Sequence, residues 1–142
     1  MATYGFWKLA QENPKHLAVV EADGREISAG ELLRSTNQVV HGLRALGLKH
    51  GDTIAAMVTN EAAMLELYLA ATQAGWYITP INSHLTAPEI AYIVEDCDAK
   101  AIFCDPARRA ELLSKFISKA TIGNVMRDTR AFLAHFGNEK VG

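Results

Sequence analysis

Between Asp52 and Cys104 the chain carries three compact apolar runs, IAAMV, WYITPIN and AKAIFC, separated by two segments of helical spacing. That alternation constrains the fold more than any other feature. IAAMV has no polar position, as a strand covered on both faces requires, and each separation between runs is long enough for a parallel crossover, which is nearly always right-handed. The order strand, helix, strand, helix, strand, with a third helix predicted after Asp105-Pro106 through Leu112, Leu113, Phe116 and Ile117, is a parallel βαβαβα unit of α/β class.

The flanking signals agree. Asp23-Gly24 lies between two strand-like runs in LAVVEADGREIS and predicts the tight turn of a hairpin, after a short amphipathic opening around Phe6, Trp7 and Leu9. Ser28 stands three residues before Glu31, so hydroxyl and carboxylate can satisfy free N–H groups reciprocally and start a helix. Its apolar stripe is Leu32, Leu33, Thr36, Val39, Val40, Leu43 and Leu46, and Gly47 is placed to stop it. Asn60 is the expected cap of the next helix, whose residues from Met64 to Ala74 leave little polar face, so it needs cover on several sides. Pro80 should end strand pairing near that point. Thr86 and Glu89 form a second capping pair, Pro88 falls in the first turn, and Ile90, Ile93, Val94 and Cys97 make one stripe.

The 142 residues, 49% hydrophobic and 21% charged, suit one globular domain. No run is long and apolar enough to be a spanning helix and the start lacks a secretory pattern, so a cytoplasmic location is expected. Net charge is −2, which argues against nucleic acid as a partner. It is distributed unevenly: residues 1–105 carry −6 and residues 106–142 carry +4. The basic end reads as a solvated helical face, because no aromatic interleaving accompanies it.

Few residues offer chemistry. In a parallel sheet, ligands gather beyond the carboxyl ends of the strands, where Asn60, then Asn82, Ser83 and His84, then Asp105 fall. Each also has a local explanation, Asn60 and Asp105 as helix caps and Asn82 to His84 as turn residues. His84 is the best single candidate for proton transfer or ligand contact. It is the only histidine between Gly51 and Gly123, so no metal-ligand spacing exists around Cys97 and Cys104, which read as small buried hydrophobes. Glu95, Asp96 and Asp98 crowd a helix end whose dipole disfavours them, and are expected to meet water. Neither glycine-rich phosphate pattern occurs, nor G-x-S-x-G.

Taken in order, SAGEL, GDTIA, NEAAMLELYLAATQAGW and PINSHLTAPEIAYIVEDCDAKAIF resemble the amino-terminal region of AMP-forming acyl-CoA synthetases, in the adenylate-forming ligase superfamily. The resemblance runs from about Phe6 to about Pro106, and YITPINSHLTAPEIAYI is most similar to the fatty-acyl-CoA ligase branch. It implies an enzyme that activates a carboxylic acid with ATP and magnesium to an acyl adenylate, then transfers the acyl group to coenzyme A. The family's phosphate loop, ribose contact and catalytic lysine have no counterpart in these residues, so no catalytic, cofactor-binding or metal position carries over, and no cofactor is expected for this chain alone. From Ser118 the resemblance ends. The expected organisation is therefore a partial AMP-binding domain over residues 1–117 and a divergent helical tail over 118–142, from a truncated or split synthetase that is inactive alone. Missing neighbours would leave a sheet edge and the apolar helix uncovered, favouring self-association or a complementing ligase chain. The alternative is a non-catalytic α/β module that binds a small ligand or a protein.

Overall fold

The computed structural model describes residues 5–58 and 61–104. Helix α1 (Phe6–Glu12) precedes a hairpin of β1 (Leu17–Val20) and β2 (Glu26–Ser28), and helix α2 (Ala29–Ala45) follows directly. Strand β3 (Thr53–Met57), helix α3 (Ala62–Ala74), strand β4 (Tyr77–Pro80), helix α4 (Ala87–Asp96) and strand β5 (Ala99–Cys104) complete the order. The expected third helix, the helical piece RDTRAFLAHF and the division at residue 118 lie outside the described residues.

The apolar runs pair as their composition requires. Strand β3 is central, with β4 parallel on one side and β5 parallel on the other. Ile54, Ala56 and Phe103 pack with α2 and α3, whereas Ala55, Met57 and Ile102 pack with α4, so helices cover both faces of the sheet. Pairing with β4 ends at Pro80 as expected, apart from one further bond in which the Ile81 N–H donates to the Ala56 carbonyl at 2.9 Å.

Local signals fix the helix ends. The Glu31 N–H donates to the Ser28 hydroxyl at 3.2 Å and the Ser28 N–H donates to the Glu31 carboxylate at 3.3 Å, the reciprocal box that starts α2. At its other end Gly47 adopts φ 97°, its N–H donates to the Arg44 carbonyl at 3.0 Å, and the Leu48 N–H reaches the Leu43 carbonyl at 3.1 Å. Those two bonds satisfy carbonyls that the helix leaves open, and Leu43 and Leu48 join the same core cluster. Leu46, expected on the buried stripe, is exposed because it sits at the C-cap, after the helical phase has ended.

Two further expectations are corrected, those for Leu9 and Asn60, and two are met and given detail, the hairpin turn and the incomplete cover of α3. The hairpin loop has three residues, Ala22, Asp23 and Gly24: the Glu21 N–H donates to the Arg25 carbonyl at 2.8 Å and the Gly24 N–H to the Glu21 carbonyl at 2.9 Å. Leu9 points outward while Trp7 and Ala10 are buried, since a seven-residue helix offers only one buried flank. The N-cap position of α3 is Glu61, one residue beyond Asn60, and its side chain makes no capping bond. Lastly, α3 is not covered all round. Its small residues Ala63, Ala70, Ala71 and Ala74 and its Leu67 are buried, but Leu65 and Tyr68 remain 43% and 54% exposed on an outward face.

A polar bridge ties α1 to the two helices beneath it. The Trp7 indole N–H donates to Gln73 Oε1 at 2.9 Å, and Gln73 Nε2 lies 3.5 Å from Asn37 Oδ1 on α2. Among the described residues no helix is long and apolar enough to cross a membrane.

Candidate functional site

At the carboxyl ends of β3 and β4 lies a cavity of about 490 Å³, lined by Ala56, Val58, Met64, Pro80, Ile81, Asn82, Ser83 and His84. Its position follows from topology, because chain leaving a parallel strand turns away and opens a crevice at that end. The base is apolar and the rim is polar. Asn82 Oδ1 accepts the His84 N–H at 2.9 Å and the Asn82 carbonyl accepts the Leu85 N–H at 3.2 Å, which fixes the turn connecting β4 to α4.

Of the five residues that sequence places at this rim, the structure brings together Asn82, Ser83 and His84, while Asn60 and Asp105 lie outside the described residues. Asn82 and His84 are exposed and Ser83 is half-buried. The rim therefore offers a carboxamide, a hydroxyl and an imidazole. Among the described residues no carboxylate lines the cavity beside His84, so those residues offer a hydrogen-bonding surface without a second group to pair with it in proton transfer.

The remaining candidates have structural roles. Cys104 is buried and Cys97 is half-buried at the C-cap of α4, where its thiol lies 3.6 Å from the Val94 carbonyl; both belong to the core beneath that helix. Glu95 and Asp96 are exposed, and Asp98 pairs with Lys100 at 3.1 Å. Among the described residues no group of three or more His, Cys, Asp or Glu could hold a metal ion. The Thr86–Glu89 box is formed, with the Thr86 N–H donating to the Glu89 carboxylate at 2.8 Å. Hydrogen bonds from the Thr86 backbone, and then from its side chain, hold the Glu89 carboxyl below its usual range.

One arrangement has no sequence signal. The N-terminus of α3 is capped from the hairpin: the Ala62 N–H donates to the Glu21 carboxylate at 3.1 Å, 41 positions away in sequence. Capping motifs are legible only within a few residues, so nothing local marks Glu21 for this role. Between hairpin and helix lies a second cavity of about 290 Å³, lined by Val19, Val20, Glu21, Ala22, Glu61, Ala62, Met64 and Leu65.

A family model described as AMP-binding enzyme matches residues 6–136, running past Ser118, where the sequence resemblance was placed to end. A fatty acid–[acyl-carrier-protein] ligase, ScoC, of Streptomyces coeruleorubidus is 31% identical over 96 residues, which are 68% of this chain and 18% of that protein. A feruloyl-CoA synthase of an Amycolatopsis species is 33% identical over 104 residues, 72% of this chain and 21% of that protein. The chain thus spans about a fifth of the length of these relatives. Apo MatB from Rhodopseudomonas palustris superposes with a TM-score of 0.81 at 28% identity, covering 96% of this chain and 28% of that one. The N-terminal domain of FACL13 from Mycobacterium tuberculosis, solved with an inhibitor, shares the fold with a TM-score of 0.82 at 21% identity, over 96% of this chain and 36% of that one. The chain belongs to the AMP-binding enzyme family.

Proposed function

We propose that these residues are scaffold for an enzyme that converts a fatty acid, ATP and coenzyme A to an acyl-CoA through an acyl adenylate, and that the 142-residue chain does not perform this reaction unaided. The observation that carries the reading is the chemistry of the cavity at the strand ends. Among the described residues its polar groups are Asn82, Ser83 and His84, with no lysine, arginine or carboxylate in the lining. Magnesium is bound through hard oxygen ligands, usually including carboxylates, and a triphosphate is gripped by glycine-rich backbone and a lysine. This donor set does not fit magnesium-bound ATP, and the sequence contains neither phosphate-loop pattern. A cytoplasmic location accompanies this reading. The test is pyrophosphate release by the purified chain given ATP, magnesium, coenzyme A and fatty acids of graded length; release stays at the blank rate, and sustained release above it refutes the proposal.

A second reading is favoured by the cavity itself, whose apolar residues and hydrogen-bonding rim suit a small polar ligand. Thermal shifts across nucleotides, acyl-CoAs and small neutral compounds separate the two, since only binding to the native state raises the melting point. Where a second chain supplies the rest of the enzyme, the strand edge of β4 and the outward face of α3, with Leu65 and Tyr68, are its docking surfaces in this account.

A further inference from the structure

We infer that Glu21 is a positioning residue for the strand-end cavity, acting from the hairpin through the first turn of α3. Three observations converge on it. First, Glu21 is half of a cap made across the fold: its carboxylate accepts the Ala62 N–H at 3.1 Å, while the residue at the N-cap position, Glu61, makes no side-chain capping bond. Second, the Glu21 side chain is only 11% exposed and sits 3.5 Å from Arg25 Nη2, so it is anchored within the hairpin and is not a loose surface acid. Among the described residues, Arg25 lies beside it and Glu61 lines the same cavity. Third, Met64 lines both cavities, the one under the hairpin and the one at the strand ends. The turn that Glu21 holds is therefore the partition between the two spaces.

The physical consequence is mechanical. A helix of 13 residues is well supported along its length by Leu67, Ala70, Ala71 and Ala74, but its first turn has open N–H donors that depend on outside partners. Without the Glu21 carboxylate the first turn frays, Met64 loses its fixed wall position, and the two cavities communicate. The hairpin thereby influences a site it does not touch, whichever ligand that site takes.

The test compares Glu21→Leu, which keeps the bulk and removes the acceptor, with Glu21→Gln, whose carboxamide oxygen can still accept from Ala62. Two local readouts are followed in the intact chain: amide exchange at Ala62, and the rate of Met64 oxidation by hydrogen peroxide, with the buried Met57 as internal reference. In Glu21→Leu, exchange at Ala62 rises on the order of 10-fold and Met64 oxidises several-fold faster, while Met57 does not change; Glu21→Gln recovers most of both effects. A Met64 rate equal to wild type in Glu21→Leu overturns the inference. So does a rise shared equally by Met57, which marks general loosening. Should Glu21→Leu not fold, Arg25→Ala replaces it: freeing the carboxylate from its hairpin anchor raises the Met64 rate and leaves Met57 unchanged, and no rise in the Met64 rate overturns the inference.

Discussion

Replacing Gly75 with alanine separates two physical effects that the structure superimposes. Gly75 closes α3 in the left-handed region, φ 76°, and its N–H donates to the Ala71 carbonyl. A left-handed backbone costs an L-residue about 1–2 kcal/mol. A Cβ here would also lie 2.2 Å from His50 Cδ2 and 2.6 Å from His50 Nε2, an overlap that no packing tolerates. The ring belongs to an exposed residue, however, so it can swing into solvent at a rotamer cost of about 0.5–1 kcal/mol. Gly75→Ala should therefore lose about 1.5–3 kcal/mol in all, most of it from the backbone. Urea unfolding, read by far-ultraviolet circular dichroism and by the fluorescence of the buried Trp7 and Trp76, measures the loss. The same substitution on a His50→Ala background should lose only about 1–2 kcal/mol. A loss above about 4 kcal/mol that His50→Ala largely restores would show the imidazole to be a fixed wedge, and no loss at all would mean that the left-handed cap is dispensable; either result refutes the reasoning.

The Glu89 carboxyl, held below its usual range by Thr86, stabilises α4 fully above the ordinary carboxylate range and loses that effect as pH falls through its lowered value. Glu89→Gln should remove this contribution to acid sensitivity, and titration of the Thr86 amide resonance should follow the Glu89 carboxyl in wild type only; an unchanged Thr86 titration in the variant contradicts the box. The Trp7 to Gln73 bond predicts that Gln73→Leu costs about 1–2 kcal/mol by stranding a nearly buried indole N–H, measured by urea unfolding against Trp7→Phe, with the double variant losing less than the sum. Leu65→Lys with Tyr68→Lys should lower any concentration-dependent association seen by sedimentation, and an unaltered association constant would place the contact on another surface.

What the sequence made legible is what depends on neighbours in sequence. The strand runs, the Ser28–Glu31 and Thr86–Glu89 boxes and the Gly47 stop each involve residues within a few positions of one another, and all appear in the structure. Interactions closed by tertiary folding were not legible: Glu21 capping α3, Gln73 receiving the Trp7 indole, and Met64 dividing two cavities have no periodic or motif signal. The misplacements of Leu9 and Leu46 share a cause. Helical spacing assigns a face to every apolar residue in register, but a short helix or a helix end presents fewer buried positions than the pattern implies. At the candidate site, the turn residues Asn82 to His84 were placed correctly by topology, whereas the cavity's wall came from a helix whose first turn is set by the hairpin.

The proposal that a triphosphate finds no grip on this polypeptide is tested by equilibrium binding with no need for turnover. Titrating the purified 142-residue chain with magnesium-ATP in a calorimeter should give only heats of dilution up to millimolar nucleotide. A saturable isotherm with a dissociation constant in the micromolar range and a stoichiometry near one would contradict the account.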